Sequence, residues 1–447
     1  MNRIIRICIL ITALVLIFSD IIAEEMKISE VIETVMEQNL QIQLEKLEAQ
    51  YHADISKSVR GKYLPALKLS ASALFWNDEN KAQMDLPVLN AVIQEIVPAL
   101  SPDSQQRIQN VIEENGNSGI TIHEKQSYKV SATIIQPLAS LYGVYHSHNS
   151  ALKMKKAAEY DTMKIKQELQ KEIAKLYFGM LSATEMVKSF DAAIDQIEKT
   201  EFITEALINE GRVEPNALLR LKVQRSDFEK GKLSVLKTIE NSKMVLNMLM
   251  NRDIDAPFKP VWNYSDFQSK VKDIVSAKNQ NDTLSYVEDN PEIKSLKEKV
   301  EASISYKHSA ISSFLPELNL VLNYDFQEGF GDMQPQNQFY AGIHFNWNIW
   351  EWGSGYYKIR ATETQSAKMK LSLALLKSKT IVEIGQLKNN LETSLAEVEN
   401  AELQTKYAKE SFRIEEELYR SGNSSTTDLL QAQTNALKAQ NDLNIKQ

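Results

Sequence analysis

The chain contains a single cysteine, Cys8, and it lies inside an N-terminal apolar stretch. A chain cut after Ala23 would carry no thiol, which excludes disulfides, thiol catalysis and a cysteine-linked lipid anchor. Glycine and proline are scarce, 14 and 11 in 447 residues, which favours long helices over turn-rich folds. Lys and Arg do not cluster and the net charge is -8, which argues against a nucleic-acid surface. A membrane-crossing helix needs an apolar run of about 18–20 residues. None follows Ala23, so any later membrane span must be β. There is no P-loop and no convincing catalytic set, and no cofactor or metal is expected. His146 and His148 are two apart, which on a helix points them in different directions. His344 stands alone on the polar side of a strand.

Residues 1–23 have the layout of a secretory signal peptide. Arg3 and Arg6 come first, Ile7 to Phe18 form the apolar core, and Ile21-Ile22-Ala23 offers a cleavage site. An uncleaved anchor is the alternative, and the apolar run is short for it. Removing Arg3, Arg6 and Asp20 takes the net charge from -8 to -9.

The rest is built on two long helices that end in glycine turns. One runs from about Val144 to Glu210 and turns at Gly211; the other runs from about Gly355 to Ser421 and turns at Gly422. Both are rich in Ala, Leu, Lys, Glu and Gln, which lose least on entering a helix. Each would be a rod of about 100 Å. Leu176, Met180, Ala183, Val187, Phe190, Ile194 and Ile197 step alternately by four and three, a coiled-coil seam. A constant offset carries these positions onto Leu387, Leu391, Ser394, Val398, Ala401, Thr405 and Ala408, a weaker seam in the same register. The same offset carries Gly211 onto Gly422, and Leu218 and Leu219 onto Leu429 and Leu430, the signature of an internal repeat.

The helices alternate with strand patterns. YLPALKLSASALF at 63–75 and FLPELNLVLNYDF at 314–326 each place apolar residues at every second position after a helix-breaking Pro. YKVSATIIQ at 128–136 and YAGIHFNWNIW at 340–350 supply two more strands. Residues 28–60 and 218–250 read as shorter helices of equal length. Asn39, Pro65 and Leu67 recur, at unchanged spacing, as Asn290, Pro316 and Leu318. Residues 24–250 thus form a first repeat of helix, two strands with a long loop at 76–127, long helix, tip turn and helix. Residues 251–282 are a linker, and 283–447 are a second repeat. The last helix starts at about Leu429 and the chain stops at Gln447, so this helix is shorter than its counterpart and reads as truncated. Four amphipathic strands of about ten residues suit a membrane barrel, yet four cannot close, so closure needs several chains.

This layout, with WNIWEWG at 347–353 and YRSGNSSTTDLLQAQ at 419–433, resembles the TolC family of outer-membrane efflux channels. The fold implied is mainly α with a membrane β-barrel part: α-helical hairpins forming a periplasmic α-barrel, four strands per protomer and two internal repeats. The resemblance implies a homotrimer with a 12-stranded barrel in outer-membrane lipid, a Gram-negative type envelope and a long periplasmic extension. It implies an exit duct for efflux or type I secretion, passive rather than enzymatic. Its iris opens on docking to a periplasmic adaptor protein and an inner-membrane pump. By resemblance Tyr419 ties neighbouring helices shut and Asp428 narrows a cation-selective aperture. Ser424 stands where the family has an arginine partner, and Gln431 where it has a second aspartate. The hairpin tips for adaptor docking would be Gly211, Leu218 and Leu219 with Gly422, Ser424, Leu429 and Leu430. From the residues alone, Thr426, Thr427 and Asp428 also read as a helix cap. A periplasmic coiled-coil scaffold without a pore is the alternative function.

Overall fold

The computed structural model describes residues 24–82, 91, 94–115, 120–261, 283–332 and 334–446. The signal-peptide reading and Cys8 lie outside them, as does most of the linker at 251–282. In chain order the elements begin with β1 (Glu24–Met26), α1 (Ile28–Gln38), α2 (Leu40–Gly61) and β2 (Ala66–Phe75). The first loop carries β3 (Asn80–Ala82), α3 (Pro102–Asn115) and β4 (Ile120–His123), and β5 (Gln126–Pro137) follows. Next come α4 (Leu141–Asn209), α5 (Asn216–Leu249) and β6 (Phe258–Pro260). After them lie α6 (Thr283–Asp289), α7 (Pro291–Ile311), β7 (Glu317–Glu328) and β8 (Asn337–Asn346). The chain ends in α8 (Ser354–Arg420) and α9 (Thr426–Lys446). The described chain is mostly helical, and α4 and α8 run unbroken for 69 and 67 residues.

The segment at 28–60, which reads as one helix, is two. Asn39 adopts extended backbone (φ -62°, ψ 129°) and separates α1 from α2. Its side chain explains the break. Oδ1 accepts the N–H groups of Gln41 and Ile42, capping α2, while Nδ2 donates to the Leu249 carbonyl at 2.8 Å. Asn290 does the same between α6 and α7, accepting from Glu292 and Ile293.

Contacts divide the chain into two compact units. One comprises residues 52–154 and 299–369. It holds an antiparallel sheet in the order β2-β5-β7-β8. The register aligns like with like. Leu67 pairs with Ile134, Ile134 with Leu322 and Leu322 with Ala341, all on one face. Lys68, Thr133, Asn323 and Tyr340 lie level on the other. On that polar face Thr133 donates to Asn323 at 2.6 Å and Lys129 pairs with Asp325 at 3.0 Å. The edge strands β2 and β8 each have one partner, and every residue of both is exposed.

The other unit comprises residues 1–51, 155–298 and 370–447. Its main core joins Val31, Val35, Ile42, Ile173, Met180 and Leu246, all at or below 1% exposure. At its centre Tyr177 donates to the Met26 carbonyl at 2.7 Å, within reach of the Val261 carbonyl, and accepts the Val261 N–H at 3.0 Å. It thereby clasps the parallel pair β1–β6. Met180, Ala183 and Ile197 of the first seam are buried, as the spacing predicts. In the second seam Ala401 and Thr405 are buried while Leu387 and Leu391 remain exposed.

Candidate functional site

The candidate site is the end of the second unit where the two glycine turns meet. Gly211 (φ +70°) and Gly422 (φ +77°) hold the left-handed backbone that closes each helix. Arg212 N–H donates back to Leu207 O and Gly211 N–H to Ile208 O; Asn423 N–H donates to Leu418 O and Gly422 N–H to Tyr419 O. These are Schellman turns, which satisfy the last carbonyls of α4 and α8 and suit a residue without Cβ.

A small core sits beneath the turns. Leu207, Tyr419 and Leu429 are buried, packed by Ile203, Val213 and Phe412. The Tyr419 hydroxyl lies 2.9 Å from Thr204 Oγ1 and accepts from Thr426 Oγ1 at 3.3 Å. One phenol thus joins α4, α8 and α9. Two arginines add outer links. Arg212 donates to the Ser421 carbonyl at 2.9 Å, tying one turn to the other, and Arg220 of α5 donates to Thr427 at 2.6 Å. Gln196 of α4 donates to Glu416 of α8 at 2.8 Å. Deeper in the bundle Arg225 lies within 4 Å of Glu198, Glu201 and Glu229.

The residues singled out from sequence fall in different settings. Tyr419 is 2% exposed and is the hub of the links. Asp428 is exposed and stands third in α9: Ser425 Oγ accepts its N–H and donates to its carboxylate at 2.7 Å. The cap is therefore Ser425, one residue before the stretch the sequence suggested, and the Asp428 carboxylate orients the capping hydroxyl. Ser424 donates to Glu415 on the long helix before it. Leu429 is buried at 1%, whereas Leu219 is 61% exposed, and Leu218 and Leu430 are half-buried. Leu219, Val223, Arg220, Leu430 and Gln431 line a shallow groove of about 430 Å³. Residues missed from sequence are Thr204, Arg212 and Arg220. Thr and Arg at helix ends carry no signal until the partner turn is in place.

The tip is acidic. Residues 205–220 and 410–428 hold eight carboxylates against four arginines. Arg413 holds the Glu410 carboxyl below its ordinary value through a charge-assisted hydrogen bond. Among the described residues no group of three His, Cys, Asp or Glu could hold a metal, and no helix is long and apolar enough to cross a membrane.

Residues 285–445 match the family described as outer membrane efflux protein. No curated protein sequence matches the chain significantly. Among solved structures, the chain is similar to the CmeC outer membrane channel of Campylobacter jejuni, at 17% identity over 94% of this chain and 82% of that one, with a TM-score of 0.72. It is similar to the outer membrane protein VceC of Vibrio cholerae, at 14% identity, 94% and 92% coverage and a TM-score of 0.72. It is also similar to CusC, at 11% identity, 94% and 88% coverage and a TM-score of 0.75. At these identities the likeness is one of fold.

Proposed function

We propose, from the match of residues 285–445 to the outer membrane efflux protein family, that this chain is one protomer of a trimeric exit duct in the outer membrane. In this reading three four-stranded sheets close into a 12-stranded barrel. Residues 24–250 and 283–447 act as two repeats of one hairpin plan joined by the 251–282 linker. Their long helices form a periplasmic α-barrel. The duct is passive: it opens when a periplasmic adaptor and an inner-membrane pump dock at the tips, for efflux or type I secretion.

The observation that carries the proposal is the sheet. Its register collects apolar side chains on one face and polar ones on the other, and both edges lack a partner among the described residues. In lipid an open edge leaves N–H and C=O groups unsatisfied, so a spanning sheet must close on further copies. Strand β2 runs opposite to β5, and β8 opposite to β7, so β8 of one copy meets β2 of the next antiparallel.

Support for a gate comes from the tip. The Tyr419–Thr204–Thr426 links and the Arg212–Ser421 bond hold the two hairpins together at the point where an iris would narrow. Three copies of Asp428 around the aperture would favour cations and repel anions.

Purified protein added to a planar lipid bilayer should give discrete, cation-preferring channels. Absence of conductance from protein that folds and binds detergent would favour a pore-free coiled-coil scaffold instead.

A further inference from the structure

Two helices of the unit that holds the main core each carry a second apolar face that the described chain leaves uncovered. Residues 40–51 of α2 and 370–382 of α8 both belong to this unit. On α2, Ile42 enters the main core, while Leu40, Leu44, Leu47 and Tyr51 stay outside it. On α8, Thr380 is buried and Leu373 and Leu376 are half-buried, while Leu371, Leu375 and Val382 are not. These seven uncovered side chains are 57–73% exposed. Single exposed leucines need no account, but a continuous stripe on a helix that already buries another face marks an interaction surface.

The two stripes share one period and one length. Leu40, Leu44, Leu47 and Tyr51 step by four, three and four, and so do Leu371, Leu375, Ser378 and Val382. This is the spacing of a coiled-coil seam, about 17 Å long on each helix. Laid antiparallel, they form four layers: Leu40 with Val382, Leu44 with Ser378, Leu47 with Leu375 and Tyr51 with Leu371. Steps of four and three then coincide along the whole seam, and sliding either helix by one residue breaks every layer.

Charge favours the same pairing. Residues 28–51 hold Glu30, Glu33, Glu37, Glu45 and Glu48 against Lys46 alone, whereas residues 370–382 hold Lys370, Lys377 and Lys379 and no acid. Lys377 pairs with Glu288 at 2.6 Å, while Lys370 and Lys379 have no ion pair among the described residues. Opposite charge on two facing surfaces selects the partner and fixes its register. Chain order agrees. Helix α2 leads into β2 and α8 leads out of β8, and these strands are the two edges of the sheet. In a closed ring of copies, β8 of one copy beside β2 of the next sets α8 against the neighbour's α2 with opposite chain direction.

We propose that the α2 stripe of one copy packs on the α8 stripe of a second copy of this chain, antiparallel and in that register. The contact rests on the trimer reading and adds to it the side chains that hold neighbouring copies together outside the sheet.

The test is a pair of thiols introduced in a Cys8→Ser background, which removes the only natural cysteine. Detergent-purified Leu44→Cys/Ser378→Cys protein is treated with a short bis-methanethiosulfonate cross-linker and run on a denaturing gel. The expected result is covalent dimer and trimer from this pair, and monomer alone from either single variant. Leu44→Cys/Leu371→Cys, out of register by about 10 Å along α8, should also stay monomeric on the gel. All three positions are exposed, so the substitutions leave the core intact. The contact is overturned if the in-register pair stays at the monomer position, or if the out-of-register pair cross-links equally, while light scattering gives a trimer mass. That outcome leaves the duct reading standing, whereas a monomer mass overturns both.

Discussion

The hydroxyls of Tyr419 and Thr204, 215 residues apart in sequence, lie 2.9 Å from one another at the meeting of the two helix turns. Thr426 completes the group from the start of α9. Tyr419→Phe keeps the buried ring and removes both bonds, a net loss of about 1 kcal/mol. We expect a folded channel with more frequent or larger openings in bilayer recordings. Conductance identical to the parent would show that this phenol holds no gate.

Asp428 serves the helix cap and, in the proposal, the aperture, and two variants separate these roles. Ser425→Ala removes the cap at a cost of about 1 kcal/mol and should lower the melting temperature without changing ion selectivity. Asp428→Asn should weaken cation preference or raise conductance. Unchanged selectivity and conductance in Asp428→Asn would leave Asp428 with the capping role alone.

Tyr177 tests the other end of its unit. Its hydroxyl is the shared partner of Met26 and Val261, and the side chain is fully buried. Tyr177→Phe removes these bonds while the Val261 N–H still reaches the Met26 carbonyl at 3.2 Å, and should cost about 1 kcal/mol, read as a lower thermal midpoint in detergent. A midpoint equal to the parent's would mean that water replaces the hydroxyl.

His146 gives a pH dependence. Its folded value lies below the ordinary 6.5, so the unfolded chain takes up the proton first as pH falls. Stability contributed by neutral His146 is present above about pH 6.5 and is lost as pH falls from there toward the folded value. Thermal midpoints should therefore fall as pH drops from about 7.5 to about 5.5. His146→Gln should shrink that difference, and an undiminished difference would place the titrating group elsewhere.

Much of the fold is legible in the sequence because its periods are long and unbroken. Both long helices end within a few residues of where composition and glycine place them, and three strands fall on their alternating runs, while the fourth, read at 340–350, is Asn337–Asn346 and stops before Trp347. The features that sequence does not reveal depend on distant partners. Asn39 looks like an ordinary mid-helix residue until Leu249 is beside it. His146 finds His308, far along the chain on another helix, rather than its neighbour His148. The Thr204 and Arg212 links exist only once the two turns are adjacent. Asp428 illustrates a signal read one residue out of step, since Ser425 is an equally good cap by type.

The measurement that bears most directly on the duct is the protein mass of the detergent-extracted chain by light scattering. The full chain is 50.8 kDa. In the proposal three copies close a 12-stranded barrel, which would weigh roughly 145 kDa after removal of residues 1–23. A trimer of that mass from the outer-membrane fraction is the expected result. A water-soluble monomer or dimer would contradict it and leave the pore-free scaffold.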